Sequence, residues 1–171
     1  VNIAVLGFGT VGGGVYDVIS RCKKKPLCDV NIKYIIDLRK FPEHPLGNRV
    51  TTDFDKVLND ESVSIVVETM GGEGVAYKYS LAALKAGKSV VTSNKAVVDK
   101  FGAELESVAA ENGVVYLYEA SVGGGIPIIA PLNNCFMGDD ITRVAGILNG
   151  TTNYVLTHMQ SEGKSLEEAL K

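Results

Sequence analysis

The opening stretch Val1 to Ile19, VNIAVLGFGTVGGGVYDVI, limits what the rest of the chain can become. The apolar run Ile3 to Leu6 is short and rich in β-branched residues, as a buried strand requires. Gly7, Gly9 and Gly12 follow in GxGxxG spacing. After them Val11, Val15, Val18, Ile19 and Cys22 recur at the interval that predicts one apolar helix face. Strand, glycine turn and helix in that order divide the work among the glycines. Gly7 allows the tight turn, Gly9 lets a pyrophosphate approach the backbone, and Gly12 lets helix and strand lie close. The free N–H groups of the helix's first turn then face the phosphates, so a dinucleotide-binding loop is expected.

The segment Val30 to Asp37 predicts the second strand, and Asp37 closes it near the ~20-residue spacing at which an acid meets an adenosine ribose. Arg39 and Lys40 follow at once. A carboxylate there accepts ribose hydroxyls, whereas guanidinium matches a 2′-phosphate with paired hydrogen bonds. The choice between NAD and NADP stays open, and a solvated loop is the plain alternative for the two cations.

With 171 residues, 46% of them hydrophobic, the chain can bury a sizeable core but is small for a cofactor domain and a substrate domain together. Its net charge of −3 offers no general attraction to nucleic acid or an anionic membrane. No apolar run reaches membrane-spanning length, and the N-terminus lacks the basic region of a signal peptide, so a cytoplasmic location is expected. Cys22, Cys28 and Cys135 have no paired spacing and suggest reduced thiols.

Further along, Thr52 or Asp53 is placed to cap a short helix that turns Phe54, Val57 and Leu58 inward. Val63 to Val67 predicts a buried strand ending at Glu68 and Thr69 before Gly71 and Gly72, and Thr69 to Gly72 is a candidate lining of the cofactor crevice, since ligands of open α/β sheets sit at strand carboxyl ends. A helix over Ala76 to Ala86 closes at Gly87. The strand Ser89 to Thr92 leads into Ser93, Asn94 and Lys95, a lysine at a carboxyl end that can hold a ribose or polarise a substrate oxygen. An amphipathic helix is expected over Val98 to Asn112. The strand Val114 to Tyr118 then delivers Glu119 into the run Gly123 to Gly125, with Pro127 in the first turn of another helix. A carboxylate followed by glycine-flanked carbonyls suits a hard cation, although a tight turn is the commoner use.

Alternation of strand and helix without internal repeats predicts an α/β fold, a doubly wound parallel sheet of Rossmann type. Character changes after Gly138, so residues 1–138 are expected to form the dinucleotide-binding domain and residues 139–171 to begin a second, α+β region. There Ile141 to Leu148 is expected as a strand, Asn149 to Thr152 as a turn and Tyr154 to Gln160 as a short helix. Ser165 and Glu168 form a capping box before a helix that has little room by Lys171, so the chain is expected to stop short of a longer protein.

GFGTVGGGV at Gly7 to Val15, TSNKAVV at Thr92 to Val98, YEASVGGGIPII at Tyr118 to Ile129 and GILNGTTNYVL at Gly146 to Leu156 together resemble homoserine dehydrogenase. The resemblance runs over nearly the whole chain, and its last two motifs are the most specific. It implies NAD(P)-dependent interconversion of L-homoserine and L-aspartate 4-semialdehyde, on the branch to threonine and methionine. By the same resemblance Gly7, Phe8, Gly9, Thr10, Val11 and Gly12 form the dinucleotide loop. Asp37, Arg39 and Lys40 meet the adenosine ribose in the manner of members that can use NADP, and Thr69 and Gly71 line the nicotinamide side. Lys95 matches the lysine between nicotinamide and substrate and is the candidate catalytic residue. Gly150 and Thr151 fall at the floor of the substrate pocket. Glu119, with the carbonyls of Val122, Gly124 and Ile126, matches a monovalent cation site that holds sodium.

The family's acids for the substrate amino group and its second, proton-donating lysine have no counterpart among these residues. The resemblance therefore implies a cofactor-binding N-terminal portion with little or no turnover of its own, from a protein that is a homodimer at full length. Leu148, Tyr154 and Leu156 are then candidates for exposed apolar surface. Two other functions fit the same scaffold. One is another Rossmann oxidoreductase using a cysteine, for which only Cys135 is placed suitably, although its apolar helical flanks suggest a buried structural thiol. The other is a non-catalytic nucleotide-binding module that senses redox state.

Overall fold

The structure, a computed structural model, describes residues 1–170. Contacts divide the chain into two compact units, Val1–Tyr118 and the residues from Glu119 onward, ahead of the change of character placed at 138.

The first unit follows the expected alternation. Strand β1 (Asn2–Leu6) leads through the glycine turn into helix α1 (Thr10–Arg21), then β2 (Asn31–Ile36) and the two-residue β3 (Val50–Thr51). Helix α2 (Asp55–Leu58) is followed by β4 (Val63–Glu68), α3 (Gly74–Lys85), β5 (Ser89–Thr92), α4 (Lys95–Glu111) and β6 (Tyr116–Leu117). All pairings are parallel, in the order β3-β2-β1-β4-β5-β6. Such a sheet is covered on both faces, which is why its central strands read as continuous apolar runs. Side chains alternate across β1, so that Ala4 and Leu6 join the core against α3 and α4, with Val66, Leu84, Val97 and Leu105. Ile3 and Val5 join the other, with Ile32, Ile35, Val15, Tyr16 and Ile19.

Helix α1 corrects one expectation. Val11 and Val18 are 50% and 59% exposed, and the face turned to the sheet is Gly12, Val15, Tyr16 and Ile19. Gly12 sets this rotation, because it is where the helix lies against the Gly7 carbonyl and the Thr69 hydroxyl at the strand ends. Helix α4 also starts earlier than expected, at Lys95, because Asn94 caps it by accepting the Val97 N–H at 3.2 Å.

Register carries the site. Leu6 pairs with Ile36 on one side and Glu68 on the other, and Glu68 pairs with Thr92. The four strands therefore end in one row, and the residues after them emerge side by side along one edge of the sheet.

The second unit contains a single turn at Glu119–Ser121, α5 (Ile129–Cys135), α6 (Gly150–Glu162) and α7 (Leu166–Ala169), the last with both hydrogen bonds of its capping box. Helix α6 begins four residues before the helix expected at Tyr154, where the Asn149 side chain caps it by accepting the Thr152 N–H. Ile141 to Leu148 forms no strand. A strand needs a neighbour for its N–H and C=O groups, and among the described residues this unit has none. Among the described residues no helix is long and apolar enough to cross a membrane.

Candidate cofactor-binding site

The glycine turn is built as its spacing predicts. Gly7 has φ +83°, a left-handed conformation that a side chain disfavours. A Cβ at Gly12 would stand 2.1 Å from the Gly7 carbonyl oxygen, so only glycine allows α1 to seat this close to β1. A Cβ at Gly9 would meet nothing nearer than the Arg39 guanidinium at 3.9 Å, which leaves open the ground a pyrophosphate needs. Gly9 is the N-cap of α1, no side chain bonds to the helix's first N–H groups, and no acid stands in its first turn. These groups and the positive end of the helix dipole fit a phosphate anion without competition from the chain itself.

Asp37 emerges beside this turn, as the strand register requires. Its Oδ2 accepts the Phe8 N–H at 2.7 Å, and its Oδ1 accepts the Arg39 N–H at 2.9 Å. The Arg39 guanidinium closes on the same carboxylate, Nε to Oδ1 at 3.0 Å and Nη2 to Oδ2 at 2.7 Å. The guanidinium and the backbone donors hold the Asp37 carboxyl well below the usual carboxylate range. On the opposite side Thr69 donates from its backbone N–H to the Leu6 carbonyl at 2.9 Å. Its hydroxyl lies 2.9 Å and 2.8 Å from the Leu6 and Gly7 carbonyl oxygens, which stitches the end of β4 to the glycine turn.

Gly7, Gly9, Asp37, Arg39, Thr69 and Gly71 line one cleft of about 640 Å³, together with Ile36, Leu38, Thr52, Met70, Val75 and Tyr79. That volume lies in the range of small-molecule and cofactor sites. Leu38 is 91% exposed and Val75 56%, so two apolar side chains stand uncovered at its mouth, while Tyr79 is stacked on Phe54 at 4.1 Å. This apolar wall was not legible in the sequence, since nothing in the spacing joins Leu38 to Val75.

Other expected residues stand around the cleft rather than in its lining. Phe8 is buried, its ring edge-on to Phe41 and His44, so it contributes its N–H to Asp37 and its ring to the core. Thr10 and Val11 open α1, Gly12 is consumed by packing, and Lys40 is exposed. Lys95 is exposed in the first turn of α4. A cation there faces the positive end of the helix dipole, a placement that costs helix stability.

One carboxylate stands behind the cleft rather than in its lining. Glu68 is fully buried, and desolvation pushes its carboxyl up. Its Oε1 accepts the Met70 N–H at 2.7 Å, and its Oε2 accepts the Thr92 hydroxyl at 2.5 Å. The sequence shows it only as the residue ending a strand. Its inward turn follows from the pairing with Thr92.

In the second unit Gly150 and Thr151 lie in the first turn of α6. Glu119 accepts the N–H groups of Ile128, Ile129 and Ala130 at 2.5, 3.0 and 2.6 Å, which caps the start of α5 and lowers its pKa. Val122, Gly124 and Ile126 belong to the adjacent turn, in which Gly123 and Gly124 have φ +72° and +61°. One carboxylate and three carbonyls are an oxygen-only donor set of the type a hard cation takes, and both Glu119 carboxylate oxygens already accept N–H groups of α5 and its approach. Cys135 ends α5 and is exposed, which overturns the expectation of a buried thiol. The helix stops there, and the adjoining Phe136 is itself exposed.

Comparison with known proteins agrees with this geometry. Residues 7–119 match the family model described as homoserine dehydrogenase, NAD binding domain, and residues 127–171 match that described as homoserine dehydrogenase. The chain is similar to the homoserine dehydrogenase of Bacillus subtilis, 41% identical over 178 residues, covering 100% of this chain and 41% of the relative. That of Synechocystis is 40% identical, covering 99% and 40% respectively. The chain thus spans about 40% of the length of these curated relatives. Among solved structures, a homoserine dehydrogenase from Thiobacillus denitrificans superposes with TM-score 0.86 at 35% identity, over 99% of this chain and 41% of that one. A hyperthermophilic archaeal homoserine dehydrogenase in complex with NADPH does so with TM-score 0.82 at 29% identity, over 99% and 59%.

Proposed function

The chain belongs to the homoserine dehydrogenase family, and from that membership and the cleft we propose that it serves the NAD(P)-dependent interconversion of L-homoserine and L-aspartate 4-semialdehyde. The observation that carries the reading is the row of strand ends. It gathers the glycine turn, Asp37 with Arg39, and Thr69 with Gly71 around one cleft. A dinucleotide bound there supplies the hydride acceptor or donor. The N–H groups of Thr10, Val11 and Gly12 meet its pyrophosphate, and Asp37 and Arg39 divide the adenosine ribose between them. Thr69, Gly71 and Lys95 stand toward the nicotinamide end. Lys95 holds a positive charge where the substrate oxygen gains electron density, the role in which a fixed cation lowers a barrier. From the family membership we also assign Gly150 and Thr151 to the substrate. The relatives' shared name supports this reading over a redox-sensing module.

Titration of NADH and NADPH against the chain, followed by nicotinamide fluorescence, tests it. Saturable micromolar binding that Gly9→Ala abolishes is the expected result, with L-homoserine slowing modification of Lys95 by an amine reagent. Absence of binding with an intact fold would overturn the assignment.

We extend the proposal to a monovalent cation, sodium, on Glu119 and the carbonyls of Val122, Gly124 and Ile126. The oxygen-only donor set supports it. A Tm that rises with sodium in the wild type and not in Glu119→Gln is expected, and equal responses would remove the cation. We also place the protein in the cytoplasm, in keeping with its free thiols, and assign the full-length protein to a homodimer. The exposed Leu148, Tyr154 and Leu156 support that assignment, and sedimentation as a monomer at micromolar concentration would count against it.

A further inference from the structure

A fully buried carboxylate is destabilising unless its partners compensate, and an aliphatic residue would complete β4 at position 68 without that cost. No cation pairs with Glu68 among the interactions described. Its partners are the Met70 N–H and the Thr92 hydroxyl, with the Asn94 side chain also acting on it. Thr92 Oγ1 in turn accepts the Asn94 N–H at 3.0 Å, so its one proton is committed to Glu68. The Asn94 side chain, 8% exposed, works in both directions. Its oxygen caps α4 through the Val97 N–H, and its amide donates to the Gly72 carbonyl at 2.7 Å. One carboxylate thus joins two segments that are distant in sequence, the loop after β4 and the first turn of α4.

We propose that Glu68 is a positioning residue which, through Thr92 and Asn94, fixes the Thr69–Gly72 loop and the start of α4 as one piece, so that Thr69 and Lys95 are presented together to the nicotinamide end of a bound dinucleotide. The proposal rests on the placement of Lys95 and Thr69 at that end. Glu68 touches no ligand itself. It acts by removing the freedom of two loops to shift against one another, and a misplacement of about 1 Å at a reacting centre is costly.

The test compares NADH with ADP-ribose, which shares its adenine half and lacks nicotinamide. Glu68→Gln and Thr92→Val should each weaken NADH binding about fivefold to tenfold, the worth of one hydrogen bond, while ADP-ribose affinity changes by less than about twofold. Thr92→Ser, which keeps the hydroxyl, should restore NADH binding. Thr92→Val is nearly isosteric, so it carries the test should the Glu68 variant fail to fold. Lys95→Ala should weaken the same NADH-specific part, and adding Glu68→Gln to it should cost less than the sum of the two. Equal losses for NADH and ADP-ribose would make Glu68 merely structural and overturn the proposal, as would strictly additive effects. An effect of Lys95→Ala with none from Glu68→Gln or Thr92→Val would sink the proposal alone. No effect of Lys95→Ala on NADH would remove both it and the placement of Lys95.

Discussion

The Arg39 guanidinium grips both oxygens of the Asp37 carboxylate, at 3.0 and 2.7 Å, beside the turn that a dinucleotide's ribose would approach. The two residues are therefore not independent recognition elements. In the proposed binding mode, a ribose 2′-hydroxyl donating to Asp37 would displace part of this grip, whereas a 2′-phosphate would draw Arg39 off Asp37 and leave the carboxylate facing a like charge.

Removing the guanidinium should accordingly separate the two cofactors. Arg39→Ala is expected to weaken NADPH about tenfold or more, the loss of a paired charge-assisted contact, and to leave NADH unchanged or tighter. Parallel fluorescence titrations measure the ratio, and an unchanged ratio would assign Arg39 to the solvated loop.

Asp37 also stabilises the fold through its bonds to Phe8 and Arg39. Its native pKa is depressed, so this contribution is complete above the unfolded value and fades as pH falls through the native one. The Tm margin of the wild type over Asp37→Asn should hold steady from pH 7 to pH 5 and shrink below about pH 4. A margin that widens on acidification would contradict this.

The glycines should part company under substitution. Gly12→Ala drives a methyl into the Gly7 carbonyl and is expected to cost about 1–3 kcal/mol or more, the range of overpacking. Gly9→Ala has room in the free protein and should melt within a few degrees of wild type, yet lose dinucleotide binding. Melting curves together with NADH titration distinguish the two behaviours.

Glu119 holds the first N–H groups of α5. Glu119→Ala should raise amide hydrogen exchange at Ile128, Ile129 and Ala130 while leaving β1 and β4 protected. Unchanged exchange at those amides would show that the cap contributes nothing to the helix.

The strands and the glycine turn were legible because each rests on local signals, a short apolar run and a residue able to reach positive φ. The inward face of α1 was not. Val11 and Val18 satisfy a helical period as well as Tyr16 does, and only contact at Gly12 selects the rotation. The strand expected at Ile141 to Leu148 has the right residues but, among the described residues, no neighbour in its unit to pair with, a requirement that composition does not express. Asn94 carried a readable signal, being a good N-cap three residues before Val97. Glu68 carried none, because its burial is a property of the paired strands rather than of β4. Asp37 and Arg39 were found as neighbours in sequence, but their mutual occupation depends on the carboxylate also receiving the Phe8 N–H.

The interlock of the Gly7 carbonyl, the Thr69 hydroxyl and Gly12 has a kinetic consequence. A cradle held in shape before its ligand arrives needs no ordering step, so encounter should be governed by diffusion and charge. Discrimination between two dinucleotides would then lie in how long each stays, with Arg39 acting as the latch that sets the departure rate.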